Sequence, residues 1–191
     1  MNTVNVSQGS PSWRGRKAGL LGMPGGYSGY LVSLRRVADY VAVARPSPEQ
    51  LQSWMRDALS ITAGSAYSRW RSLCRAGLLT ESHGVSSISA ACDTWRRTKN
   101  PAPLIAEIHR NIRFVGEFLV LLDAPLSTGQ LLHRANEQYR MGWRSPAQLS
   151  FRRGWLQSAG LMTAESYSDT LMRTEAGSAI VEELAIEPPL A

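Results

Sequence analysis

The chain reads as mainly α-helical with short β-hairpins, an α+β fold in which one small unit occurs twice in tandem. Three observations predict this: a duplicated pair of fragments, apolar residues at helical spacing, and a hairpin signal after every third helix. Val37-Ala38-Asp39-Tyr40-Val41 recurs as Val115-Gly116-Glu117-Phe118-Leu119, keeping a small, acidic, aromatic, aliphatic order. Leu73-Cys74-Arg75-Ala76-Gly77-Leu78-Leu79-Thr80 recurs as Leu156-Gln157-Ser158-Ala159-Gly160-Leu161-Met162-Thr163. Units of roughly 75 residues bury only about 60 % of their unfolded surface, so the two copies are expected to pack on each other.

In the first copy, Leu31, Leu34, Val37, Val41 and Ala44 mark an amphipathic helix that Arg45-Pro46 closes. Ser47 is placed as N-cap of the next, with Pro48 at its first position, Gln50 completing a capping box, and Leu51, Trp54, Met55 and Leu59 along one face. After a break at Ser60-Ile61-Thr62, a third helix runs from about Gly64 to Ala76, with Ala66, Trp70 and Leu73 inward and Gly77 at its end. Leu78 to Thr80 and Val85 to Ile88 then flank a turn at Ser82-His83-Gly84.

The second copy repeats that order. Ile105, Ile108, Ile112, Val115, Leu119 and Leu122 predict one long helix from Leu104 to Leu122. Ser127-Thr128 caps a second helix ending near Tyr139, and Ser145-Pro146 opens a third that runs to Ala159 before Gly160. Leu161 to Ala164, a turn at 166–169 and Thr170 to Arg173 make the second hairpin, and a last helix starts at Thr174. The expected organisation is a flexible basic arm over 1–28, a first unit over 29–94, a basic connector over 95–101, a second unit over 102–186 and a tail over 187–191.

Three helices followed by a hairpin is the plan of a winged helix-turn-helix. Over residues 31–186 the chain resembles a tandem winged helix-turn-helix DNA-binding protein. The resemblance rests on the basic third helices and Gly-Leu turns of Arg69-Trp70-Arg71-Ser72-Leu73-Cys74-Arg75-Ala76-Gly77-Leu78-Leu79 and Arg152-Arg153-Gly154-Trp155-Leu156-Gln157-Ser158-Ala159-Gly160-Leu161-Met162. The second half, with Phe114-Val115-Gly116-Glu117-Phe118-Leu119 and Thr128-Gly129-Gln130-Leu131, is similar to DNA-binding modules of prokaryotic restriction and phage-defence systems. That likeness implies a non-enzymatic, cytoplasmic protein that binds double-stranded DNA in a regulatory or recruiting role.

Charge points the same way. Residues 1–163 carry 20 basic against 9 acidic side chains, a net of +11, whereas 164–191 carry Arg173 against six acids, a net of −5. A basic, arginine-rich body favours a phosphate-bearing partner. A recognition helix needs donors for guanine and amides for adenine on one open face. The candidates are Ser65, Tyr67, Ser68, Arg69, Ser72 and Arg75 in the first copy, and Arg144, Gln148, Ser150, Arg152 and Arg153 in the second. Arg96, Arg97 and Lys99 of the connector, and Arg14, Arg16 and Lys17 of the arm, are expected to add phosphate contacts. Trp70 aligns with Arg153, so one copy can bind DNA while the other packs or meets a partner.

Enzymatic and metal signals are missing. Neither lysine sits in an acidic-x-Lys context, His83, His109 and His133 do not share a ligand spacing, and Gly22-Met23-Pro24-Gly25-Gly26 lacks the lysine of a phosphate-binding loop. No cofactor or metal is therefore expected. Cys74 and Cys92 form no disulfide framework, and the apolar stretch 18–34 is broken by Pro24 and glycines, so no membrane association is expected. Two other classes compete with DNA binding: a structural subunit binding a protein partner, as a homodimer or beside a chromosome-organising ATPase, and an RNA-binding component of a ribonucleoprotein.

Overall fold

The computed structural model describes residues 13–165, 169–186 and 188–189. The chain is mainly helical with short antiparallel strands in two small sheets. Its first half contains α1 (Tyr30–Ala44), α2 (Pro48–Ala58), α3 (Ala63–Arg75), the hairpin β1 (Leu79–Ser82) and β2 (Val85–Ile88), and α4 (Ala90–Thr98). The second contains α5 (Ala102–Asn111), α6 (Gly116–Leu121), β3 (Leu126–Ser127), α7 (Thr128–Tyr139), α8 (Ala147–Ser158), β4 (Met162–Ala164), β5 (Thr170–Arg173) and α9 (Glu175–Glu183).

The duplicated sequence encodes duplicated backbone chemistry. Ser47 and Ser127 each accept from the N–H three residues on, and Gln50 and Gln130 return the bond to the cap, two matching capping boxes. At the ends of α3 and α8, Gly77 and Gly160 both take φ +73. Leu78 N–H donates to Leu73 O and Gly77 N–H to Cys74 O; Leu161 N–H donates to Leu156 O and Gly160 N–H to Gln157 O. This pair of bonds satisfies the last helical carbonyls and requires a left-handed residue, which is why both copies carry Ala-Gly-Leu or Ala-Gly-Leu-Met there.

After each hairpin the chain bonds back to the same place: Ser89 N–H donates to Leu78 O and Thr174 N–H to Leu161 O. Ser89 and Thr174 then cap α4 and α9. The supposed connector is thus the first copy's counterpart of α9: Arg96 and Arg97 lie on a helix that buries Cys92 and Trp95, and the boundary expected at residue 95 falls inside it. One difference between the sheets has a simple cause. β3 pairs with β5 through Leu126↔Leu171 and Ser127↔Thr170, making a three-stranded sheet in the second half. At the matching place in the first half stands Pro46, which accepts from Ser86 N–H but has no N–H to return.

Two expectations fail in the structure. The single helix 104–122 is broken: Ile112 is extended, Phe114 has φ +62, and the helix restarts at Gly116. The break is made by the segment expected to be a flexible arm. Lys17 N–H donates to Asn111 O and Arg113 N–H to Lys17 O, a parallel bridge between Lys17 and Ile112 that a helix there would forbid. Residues 13–29 form a strap instead, with Trp13, Arg16, Leu20 and Met23 buried. Residues 1–12 of the arm, three turn residues at 166–168, and residues 187, 190 and 191 of the tail lie outside the described residues.

The strap joins the two halves. Tyr30 packs edge-on against Trp155 and leaves no room for a Cβ at Gly154, and Leu31 N–H donates to Ser158 Oγ at 2.8 Å. Buried apolar residues of both halves form one continuous core.

Candidate nucleic-acid interface

The third helices have diverged in what surrounds them. On α3, Thr62 caps the start by accepting from Ser65 N–H, Ala66 and Leu73 face the core, and Tyr67, Ser68, Arg71 and Arg75 are exposed along one strip. Arg71 Nη1 donates to Tyr67 Oη at 3.3 Å, with its guanidinium 5.6 Å from the tyrosine ring centroid. Neither Arg71 nor Arg75 forms an ion pair with a carboxylate among the described residues. This strip forms one wall of a cleft of about 230 Å³, closed by Gly19, Leu20 and Leu21 of the strap and by Gln148 of α8. No carboxylate lines it, so its polar lining is hydroxyl, amide and guanidinium.

On α8 the corresponding face is internal. Arg152, expected to point outward, is fully buried. All five of its N–H donors are used: Nε to Arg113 O at 3.0 Å, Nη1 to Gln148 O and Oε1 at 3.0 Å each, and Nη2 to Ala18 O and Arg113 O at 2.8 Å each. Its guanidinium lies 4.7 Å from the Trp143 ring centroid. Burial pushes its pKa down to about 9, partly opposed by Glu117, so at neutral pH it stays charged. Arg152 therefore ties the strap and the α5–α6 break to α8, and it cannot touch DNA.

Ser72 and Gln148 are spent in the same way. Leu21 N–H donates to Ser72 Oγ at 2.9 Å, and Leu20 N–H to Gln148 Oε1 at 3.2 Å. Leu21 O accepts from Trp155 Nε1 at 3.0 Å, and Trp155 is the residue that aligns with Ser72. Equivalent positions of the two copies thus grip the two polar groups of one strap residue. Arg69 aligns with Arg152 and bonds back to Ser65 O, the same backward reach that Arg152 makes to Gln148 O, but its Nε is buried without a partner. Burial beside Tyr30 lowers its pKa.

The remaining candidates divide by whether their charge is matched. Arg16, placed in the arm as a phosphate contact, is instead buried against Glu117 at 2.9 Å. Arg96 pairs with Asp93 and Asp39, and Arg97 with Asp93. Arg153 pairs with Asp169 at 3.2 Å and stacks on Tyr27 at 4.3 Å. Ser65 and Ser150 are half-buried, while Ser68, Arg14, Lys17, Lys99 and Arg144 remain exposed. The structure therefore gathers Ser68, Ser72, Arg75 and Gln148 at the cleft, with Lys17 two residues before Gly19 and Arg144 four residues before Gln148. Arg71 was the residue missed, although the 67, 71, 75 spacing places Tyr67, Arg71 and Arg75 on one helical stripe.

Neither thiol is a nucleophile at neutral pH. Burial, with Asp93 and Glu81 adding to it, pushes Cys92 up to about 12 and Cys74 up to about 11. Alkylation at pH 8 is expected to run at least about tenfold slower in the native chain than in the denatured one; equal rates, followed by mass spectrometry, would contradict this. Among the described residues, no group of three or more His, Cys, Asp or Glu could hold a metal ion, and no helix is long and apolar enough to cross a membrane. Comparison with protein-family models, with curated proteins and with solved structures finds no match to this chain.

Proposed function

We propose that the chain is a non-enzymatic, cytoplasmic protein that binds double-stranded DNA through two tandem winged-helix units, in a regulatory or recruiting role of the kind found in mobile-element and phage-defence systems. The observation that carries the reading is the pair Arg71 and Arg75, unmatched by carboxylates, on a cleft that no carboxylate lines. Support for the unit comes from the recurrent order of helices, hairpin and closing helix, and from the strand β3 placed between a first and second helix. The work is divided: α3 faces the duplex, while α8 holds the strap.

Binding to a random 20-base-pair duplex is expected to weaken as salt rises, because each phosphate neutralised contributes about −0.9 to the slope of log K against log salt. A set of three or four contacts gives a slope of about −3. No affinity at low salt, or affinity without a negative slope, removes the DNA reading. A protein partner is the second reading, favoured by Val32 and Val43, which leave α1 66 % and 86 % exposed, and by the stacked rings of Tyr40 and Trp54 at 4.4 Å.

A further inference from the structure

We infer that this chain holds duplex DNA by its phosphates and does not read its base edges, with one backbone phosphate seated in the cleft beside α3; this rests on the DNA-binding reading above. Base reading needs free side chains that offer both donors and acceptors, since adenine presents one of each and cytosine presents a donor. The side chains best suited to that task are already occupied. Ser72 Oγ and Gln148 Oε1 accept strap N–H groups, and Arg152 spends every donor on Ala18, Arg113 and Gln148.

What is left in the cleft suits an acceptor-only anion. Arg71 and Arg75 stand one turn apart on the same stripe, Ser68 offers a hydroxyl, and the only acceptors nearby are neutral oxygens. Tyr67 holds the Arg71 guanidinium by a hydrogen bond and by stacking, which orients its planar fork toward a phosphate. Shape acts in the same direction. Gly19, Leu20 and Leu21 run alongside α3, so the helix lies recessed in a cleft and not on a ridge that could enter a major groove. A phosphate can enter such a recess; the edge of a base pair cannot. Contacts to phosphate fix position and carry no sequence information, so affinity is indifferent to sequence.

The test uses the full chain, two labelled 20-base-pair duplexes, one all A·T and one all G·C, and anisotropy across a salt series. The expected result is affinities within tenfold of each other. The Arg71→Gln/Arg75→Gln variant is expected to show a salt slope shallower by about one to two, at about 0.9 per lost phosphate contact. Arg71→Lys/Arg75→Lys is expected to keep the wild-type slope, and equal unfolding midpoints confirm that the variants are folded. A preference of more than tenfold for either duplex overturns the inference while leaving DNA binding intact. A slope unchanged in the Gln variant overturns the seat. Absence of binding to either duplex overturns the DNA reading on which the inference rests.

Discussion

Arg152→Ala lowers the unfolding free energy by about 3–5 kcal/mol, because buried carbonyls left without donors cost about 1–3 kcal/mol each and the truncation also leaves a cavity. The carbonyls are those of Ala18 and Arg113, which lie on the strap and on the break between α5 and α6, so one substitution loosens three segments. Relief of the guanidinium's own desolvation keeps the loss from being larger. Against a typical total of about 5–15 kcal/mol this is a large fraction. Arg153→Ala is the matched control: its partner Asp169 is exposed, and the expected loss is under about 1 kcal/mol. Urea denaturation followed by circular dichroism reads both. Equal, small effects would mean that the strap does not depend on Arg152.

Glu117→Ala is expected to cost a similar amount, about 3–5 kcal/mol, since removing one partner strands a buried charge. Arg16 is 2 % and Glu117 0 % exposed, and their 2.9 Å bond ties the strap to α6. His109 sits in the same cluster. Gly116 N–H donates to its Nδ1 at 3.1 Å, which makes Nδ1 an acceptor and leaves Nε2–H to donate to Ala185 O at 3.1 Å. A neutral imidazole thus links α5, the start of α6 and the segment after α9, and it leaves the balance of charge to Arg16 and Glu117. An apolar pair of similar volume removes both charges together, so Arg16→Met/Glu117→Leu is expected to be more stable than Glu117→Ala. A double variant as unstable as the single one would show that the ion pair is not what couples strap to helix.

Local chemistry made the repeat legible. The capping serines with their glutamines, and the glycines after α3 and α8, bond within a few residues, and the structure has them where local rules place them. Long-range partners were not legible. The apolar spacing from Ile105 to Leu122 is continuous, and the bridge that breaks the helix comes from Lys17, far away in sequence. The same cause misplaced Arg152, Ser72 and Gln148. An arginine two turns from a helix end reads as solvent-facing until another segment lays carbonyls across it, and no local pattern announces that segment. Glycine-rich composition in 18–29 suggested flexibility, yet Gly22 and Gly29 are there because Tyr30 and the Gly25 carbonyl crowd the space a Cβ would fill.

The division of work between α3 and α8 is tested most directly by arginine footprinting of the full chain with a dicarbonyl reagent, read by mass spectrometry with and without saturating duplex. The expected pattern is Arg71 and Arg75 modified in the free chain and protected by DNA, with Arg152 unmodified in both. Protection at Arg153 and Arg144 while Arg71 and Arg75 react equally in both states would contradict it, placing the duplex on the second copy.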